Sequence, residues 1–228
     1  LKGVVILQVI WSSLPVVLSG LWLTIEFSLI AIVLEVIIGL IAALMRLSNV
    51  AVLRWIATAF VELFRSTPLL VQLFFIVVGL PSILPLNHIF GPRFYPILGA
   101  IVTLGLNEGA YVTEIVRAGI LGVDRGQKEA AASIGMNGFQ TMRYIVLPQA
   151  FKRMIPPLVN QAAQTIKDTT LLAPIGIVEM LYKSQTVIAE TFKAFQIYSL
   201  VAVLYFIIIF AVSKLAAYTE RRLQVDKR

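Results

Sequence analysis

The sequence predicts an all-α integral membrane protein of one domain, with five transmembrane helices and one polar elbow in the water between the third and fourth. Three observations predict it. The 228 residues are 59% hydrophobic and 14% charged, whereas a soluble domain carries about 25% charged residues. The apolar residues gather in runs at least as long as the ~20 residues that cross a bilayer as a helix. The stretch Glu129 to Pro148 is small and polar among otherwise apolar neighbours, and it follows the third run.

Leu1 to Ser13 reads as an interfacial segment, with Trp11 as a membrane-surface anchor. The N-terminus lacks the short apolar core and small-residue cleavage site of a removed signal peptide, so these residues are expected to be mature sequence. Pro15 precedes the first span, residues 16–47. At ~1.5 Å per residue it exceeds the ~30 Å hydrocarbon core, so it tilts or projects. Glu26 and Glu35 interrupt it and are expected to face other helices, because a carboxylate in lipid is costly. The second span, residues 55–80, holds Glu62, Arg65 and Pro68. Pro68 would kink it or separate an interfacial piece from the span proper. Four prolines, at 81, 85, 92 and 96, mark the following loop. The third span, residues 95–120, carries Gly105 and Gly109 at a spacing that permits close helix approach. The fourth, residues 151–172, has Pro156 and Pro157 in its first turns, and residues 174–194 form a loop with a short helix. The fifth covers residues 195–218, and a charged tail, Glu220 to Arg228, ends the chain.

The elbow, residues 121–148, reads as a short exposed helix-turn-helix. Glu129-Ala130-Ala131-Ala132-Ser133 favours a helix, Gly135 interrupts it, and Pro148 marks a new element. The plain alternative is an ordinary polar loop. Orientation follows from Lys and Arg. Arg46, Arg54, Arg117, Arg125, Lys128, Arg143, Lys152, Arg153, Arg221, Arg222, Lys227 and Arg228 fall on one side, and Lys2, Arg93, Lys183 and Lys193 on the other. The first side is therefore cytoplasmic, with the N-terminus outside, the C-terminus inside and the elbow in the cytoplasm.

Composition also removes function classes. There is no cysteine, so disulfides and thiolate metal sites are excluded. The net charge of +7 sits at the ends of apolar runs, where it meets anionic lipid headgroups rather than nucleic acid. One loop histidine, His88, and no cysteine argue against an intramembrane hydrolase. No Gly-x4-Gly-Lys-Ser/Thr loop is present, so the chain does not cradle ATP phosphates in that way.

Glu129, Ala130, Ala131, Gly135, Ile145, Leu147 and Pro148 match, at every position, the Glu-Ala-Ala-x3-Gly-x9-Ile-x-Leu-Pro signature of ABC importer permeases. Further segments resemble the polar amino acid (histidine, glutamine and arginine type) branch of that family: Phe64 to Gln72, Ala110-Tyr111 with Glu114 and Arg117, Gly126-Gln127, Pro148-Gln149-Ala150 and Lys167 to Leu172. The resemblance covers residues 16–220. It implies a five-helix permease core whose elbow forms coupling helices, with Arg125 and Lys128 beside the signature residues, that dock on a separate ATPase. It implies a plasma-membrane complex in a prokaryote: two permease chains, two ATP-binding cassette subunits holding ATP and Mg, and an extracellular substrate-binding protein. This chain itself would bind no cofactor and catalyse no reaction. Ser66 and Thr170 stand where the family usually has Gly and Ser, and Glu108 where it commonly has a small or uncharged residue.

Substrate sites in transporters lie near the bilayer midplane. Glu108 on the third span and Gln164 on the fourth fall at similar heights, ~16 and ~18 Å from the cytoplasmic ends of their helices. Asn160, Gln164 and Asp168 share one face of the fourth span, with Asn107, Glu108 and Gln161 beside it. The stripe is expected to line the translocation cavity, and Glu108 to favour a cationic side chain, so arginine, lysine and histidine lead. The alternatives are that Glu108 pairs with Lys167, or that the stripe only bonds helices together. Glu62 with Arg65 and Glu114 with Arg117 are expected to pair on their own helices as gating or loop-positioning elements, and Glu129 to cap its helix or meet a basic group on the ATPase. The competing function is an ion-coupled secondary amino-acid transporter, which should carry inverted repeats and discontinuous helices.

Overall fold

The protein, here as a computed structural model, is described over residues 2–223, with side chains described for residues 8–222. Lys2, Lys227 and Arg228 of the charge count, and the end of the tail, lie outside the described side chains. No strand occurs among the described residues.

Helix α1 (Lys2–Leu47) runs 46 residues with Pro15 inside it. The expected boundary at Pro15 is therefore absent: the interfacial segment and the first span are one helix. Proline removes one N–H, and just before it the Ser12 and Ser13 hydroxyls donate to the Val9 carbonyl at 3.1 and 2.7 Å. The second span does break. Helix α2 (Ala51–Arg65) stops at Ser66-Thr67-Pro68, and α3 (Leu69–Leu73) leaves in a new direction, bent by 105°. Pro68 takes an extended conformation (φ −64°, ψ 133°) and so cannot continue α2.

A wide π turn over Phe74–Gly79 carries α3 into α4 (Leu80–Ile83), and α5 (Leu86–Phe90) completes the proline-rich segment. Helix α6 (Phe94–Leu121) is the third long helix. The elbow holds α7 (Arg125–Ser133) and α8 (Gly138–Gln140). A second π turn, Thr141–Val146, joins α8 to α9 (Leu147–Asp168). The helical path of the fourth span thus starts at Gly138, not near residue 151. Pro148 lies in the first turn of α9, as expected, but Pro156 and Pro157 lie in its middle. Each π turn ends two residues before a proline, Pro81 or Pro148. In an i→i+5 turn the missing Pro81 N–H leaves the Ile76 carbonyl free, and the Tyr95 hydroxyl donates to it at 2.6 Å. A 3₁₀ segment (Thr169–Ile175), α10 (Met180–Thr191) and α11 (Ala194–Leu223) follow.

Helices α1 and α6 form the most extensive contact in the molecule. Glycines allow it: a Cβ on Gly39 would meet Val112 Cγ1 at 2.4 Å, and one on Gly105 would meet Leu34 Cδ2 at 2.6 Å. Helix α9 packs on both α6 and α1, and α11 on α9. The inner face of α1 carries Thr24, Ser28, Ala31 and Glu35, all buried. Glu26 does not join them and is exposed on this chain, against expectation. It lies nine residues from Glu35, ~180° around the helix, so the two carboxylates cannot share a face.

Among the described residues, Gln8–Leu47 and Ala194–Arg222 are long and apolar enough to cross a bilayer, and the bent pair α2–α4 would make a third. Helices α6 and α9 fall outside that group because they carry polar residues, and α6 hides Asn107 and Glu108 inside the protein. The exposed faces of α1 and α11 are apolar instead (Leu29, Val33 and Ile37; Val203, Phe206 and Phe210). Polar groups inside and apolar groups outside is the distribution that hydrocarbon demands.

Candidate functional site

A cavity of about 590 Å³ opens where the α2–α3 bend meets α6 and α9. The bend supplies Arg65 to Leu69, α6 supplies Asn107, Glu108 and Tyr111, and α9 supplies Gln161, Gln164 and Asp168. Glu108 is 2% exposed and accepts a hydrogen bond from the Gln161 amide across the α6–α9 contact. Gln164 donates to both Asp168 oxygens at 3.1 Å, and Asp168 lies beside Glu108. The floor is thus acidic. The cation in the wall is Arg65, whose guanidinium stacks over the Tyr111 ring at 5.1 Å.

The bend is held by a buried clasp. The Gln72 side chain folds back so that its amide reaches the carbonyls of Phe64 and Thr67 at 3.0 and 3.1 Å and the Thr67 hydroxyl at 2.6 Å. From α6, Asn107 Nδ2 donates to the same Phe64 carbonyl and to Gln72 Oε1, both at 3.0 Å. These side chains satisfy carbonyls that the end of α2 leaves without helical partners.

One turn below Tyr111, Glu114 receives Arg117 at 2.8 Å and also Arg46 of α1, so α1 and α6 are tied by a charge cluster. The elbow follows. Asp124 caps α7 by accepting from Gly126 N at 2.7 Å. Gly135, at φ +83°, ends it in a Schellman turn: Gly135 N donates to Ala132 O and Met136 N to Ala131 O. Asn137 and Gln140 then form a reciprocal capping box that starts α8. Ile134 and Phe139 project from this turn, 78% and 72% exposed. Arg153 of α9 donates to the Gly122 carbonyl, and Gln149 meets Gln127 at 3.5 Å, so the elbow is fastened to α9.

The sequence profile described as binding-protein-dependent transport system inner membrane component matches residues 35–225. This chain belongs to that family. Permease relatives cover nearly all of it. The glutamine transport system permease protein GlnP of Escherichia coli K12 is 37% identical over 95% of this chain and 96% of its own length. The L-cystine transport system permease protein TcyB of Bacillus subtilis is 39% identical over 92% and 87%. A solved amino acid ABC transporter with histidines superposes at TM-score 0.86, with 35% identity over 93% of this chain and 96% of that one. The MetNI methionine transporter, at 19% identity and TM-score 0.70 over 90% of this chain and 96% of that one, shares the fold.

In this inner-membrane component, Asn107, Glu108, Gln161, Gln164 and Asp168 meet at one cavity. Asn160 does not: it is exposed and stands away from the lining. An i, i+4, i+8 stripe drifts ~40° per step, which turns Asn160 ~80° from Asp168, whereas Gln161, seven residues away, lies within ~20°. Glu108 does not pair with Lys167, which is exposed. Glu62 and Arg65 form no ion pair among the described residues; Arg65 turns to Tyr111 instead. Glu129 is not a cap. It pairs with Arg125 at 3.1 Å on the surface, Lys128 is half-buried, Ala130 and Gly135 are exposed, and Ala131 is buried against the rest of the elbow. Sequence reasoning missed Arg46 as a partner of Glu114 and gave Gln72 no role beyond its place in the Phe64 to Gln72 resemblance. The pairing of Gln72 with Asn107 spans 35 residues, and its one local hint is an amide placed just past a helix-breaking proline. Replacing Gln72 by Leu leaves buried carbonyls without donors. It should destabilise the protein by about 1–3 kcal/mol and broaden the distance distribution between spin labels on α2 and α4.

Proposed function

We propose that this chain is the membrane-spanning subunit of an ATP-driven importer of polar amino acids, with cationic ones (arginine, lysine, histidine) preferred. The observation that carries the reading is the acidic floor: Glu108 and Asp168 side by side at the cavity. A substrate ammonium or guanidinium would meet these carboxylates, and its α-carboxylate would meet Arg65 in the cavity wall. The family match and the amino-acid permeases among the relatives support import of this substrate class and do not favour an ion-coupled secondary transporter. The glutamine permeases among them favour a neutral polar amino acid as a second reading.

Five crossings fit the chain: α1, the bent α2–α4 unit, α6, α9 and α11. The elbow lies in the cytoplasm, with the N-terminus outside and the C-terminus inside. Glu129, Ala130, Ala131, Gly135, Arg125 and Lys128 form the face that couples to the ATP-binding cassette subunits, and Ile134 and Phe139 are its apolar anchors. ATP and Mg reside on those subunits. A second permease chain and an extracellular substrate-binding protein complete the complex in a prokaryotic plasma membrane.

Two outcomes check this. In the reconstituted complex, Glu108→Gln should raise the arginine concentration giving half-maximal ATPase stimulation about 10–100-fold and affect glutamine far less. Unchanged arginine dependence removes the cationic reading, and stimulation by glutamine alone selects the second one. Ile134→Asp combined with Phe139→Asp should abolish co-purification of the ATPase while leaving membrane insertion intact.

A further inference from the structure

Behind the cavity lies a third carboxylate, buried and outside the cavity's lining. Glu35 of α1 is 1% exposed. Its Oε2 accepts from the Thr165 hydroxyl of α9 at 2.6 Å, and that hydroxyl also reaches the Gln161 carbonyl at 3.1 Å. Gln161 in turn donates to Glu108. Glu35, Glu108 and Asp168 are near neighbours of one another, brought together from three helices. No lysine or arginine pairs with any of them among the described residues; the ion pairs found are those of Glu114 and Glu129.

Clustered acids with no cation paired to them favour the protonated form until a positive charge approaches, which then draws them to ionise. In a low-dielectric interior the field of a charge reaches well beyond its contacts. We infer that Glu35 is a specificity-determining residue. It never touches the substrate, but its charge, held against α9 by Thr165, adds to the attraction that draws a positively charged side chain into the cavity. The inference rests on the cationic reading above and extends it to a residue outside the lining. Helix α9 then has two duties at this level: Gln161, Gln164 and Asp168 face the cavity, and Thr165, on the adjoining face, holds the charge behind it.

The test compares L-arginine with L-citrulline, its neutral isostere, by calorimetric titration of the purified complex. Glu35→Gln keeps the shape and the acceptor for Thr165 and removes the charge. It should lower the arginine-to-citrulline affinity ratio about tenfold, through weaker arginine binding with citrulline unchanged. A role confined to packing would move both ligands by the same factor, and that result would overturn the inference. Thr165→Ser keeps both the charge and the hydroxyl that holds it, so it should hold the ratio within about twofold of wild type. A fall as large as that expected for Glu35→Gln would assign the effect to packing at this contact, overturning the inference even if Glu35→Gln fails to assemble. A wild-type ratio near one overturns the cationic reading and the inference with it. A clear wild-type preference that survives Glu35→Gln overturns the inference alone.

Discussion

The contact between Gln161 and Glu108 is the one on which the site depends. Hydrocarbon supplies no partner for a polar group, so a carboxylate on a membrane helix must be met by protein or by cargo. Helix α6 solves this by being enclosed. Helix α1 approaches it through glycine contacts, α9 covers its polar face, and the broken α2–α3 unit closes the third side. The cavity is what remains where the fit between these elements is incomplete. Its lining is mostly polar, with Pro68, Leu69 and Tyr111 among the polar groups.

The break in α2–α3 is equally a consequence of that rule. An interrupted helix exposes carbonyls, and in a membrane this is tolerated only where side chains or a cavity answer them. Gln72 and Asn107 answer them here, and Arg65 is thereby placed over Tyr111 at the cavity wall. Asn107, read from sequence as a substrate contact, therefore acts first as a fastening. Along the other wall, the helical path from Gly138 to Asp168 carries elbow contacts at its start, through Gln149 and Arg153, and cavity residues at its end. One helical path thus joins the elbow to Gln164 and Asp168.

How much of this was legible in the sequence depended on the kind of signal. Hydropathy located α1 and α11, whose outer faces are apolar, and the cost of burying charge correctly sent Glu35 inward. The same rule failed for Glu26, because nine residues of helix put it on the opposite face. The signature positions of the elbow were readable, yet its turn was not, since the Schellman turn at Gly135 and the Asn137–Gln140 box are backbone geometries. Proline misled at Pro15, which α1 runs through, and at Pro156 and Pro157, which lie in the middle of α9 and not in its first turns. The cavity stripe wrongly included Asn160 beside Gln161, and the role of Gln72 was hidden because its partner lies 35 residues away on another helix.

The most direct test of the account is chemical access to the cavity itself. The chain has no cysteine, so Gln164→Cys places a single thiol at the lining. Its rate of modification by a small charged methanethiosulfonate should fall steeply when saturating L-arginine is added to the assembled complex. A rate indifferent to every amino acid that the complex transports would contradict the account, because the acidic cavity between α6 and α9 would then not be the substrate's path.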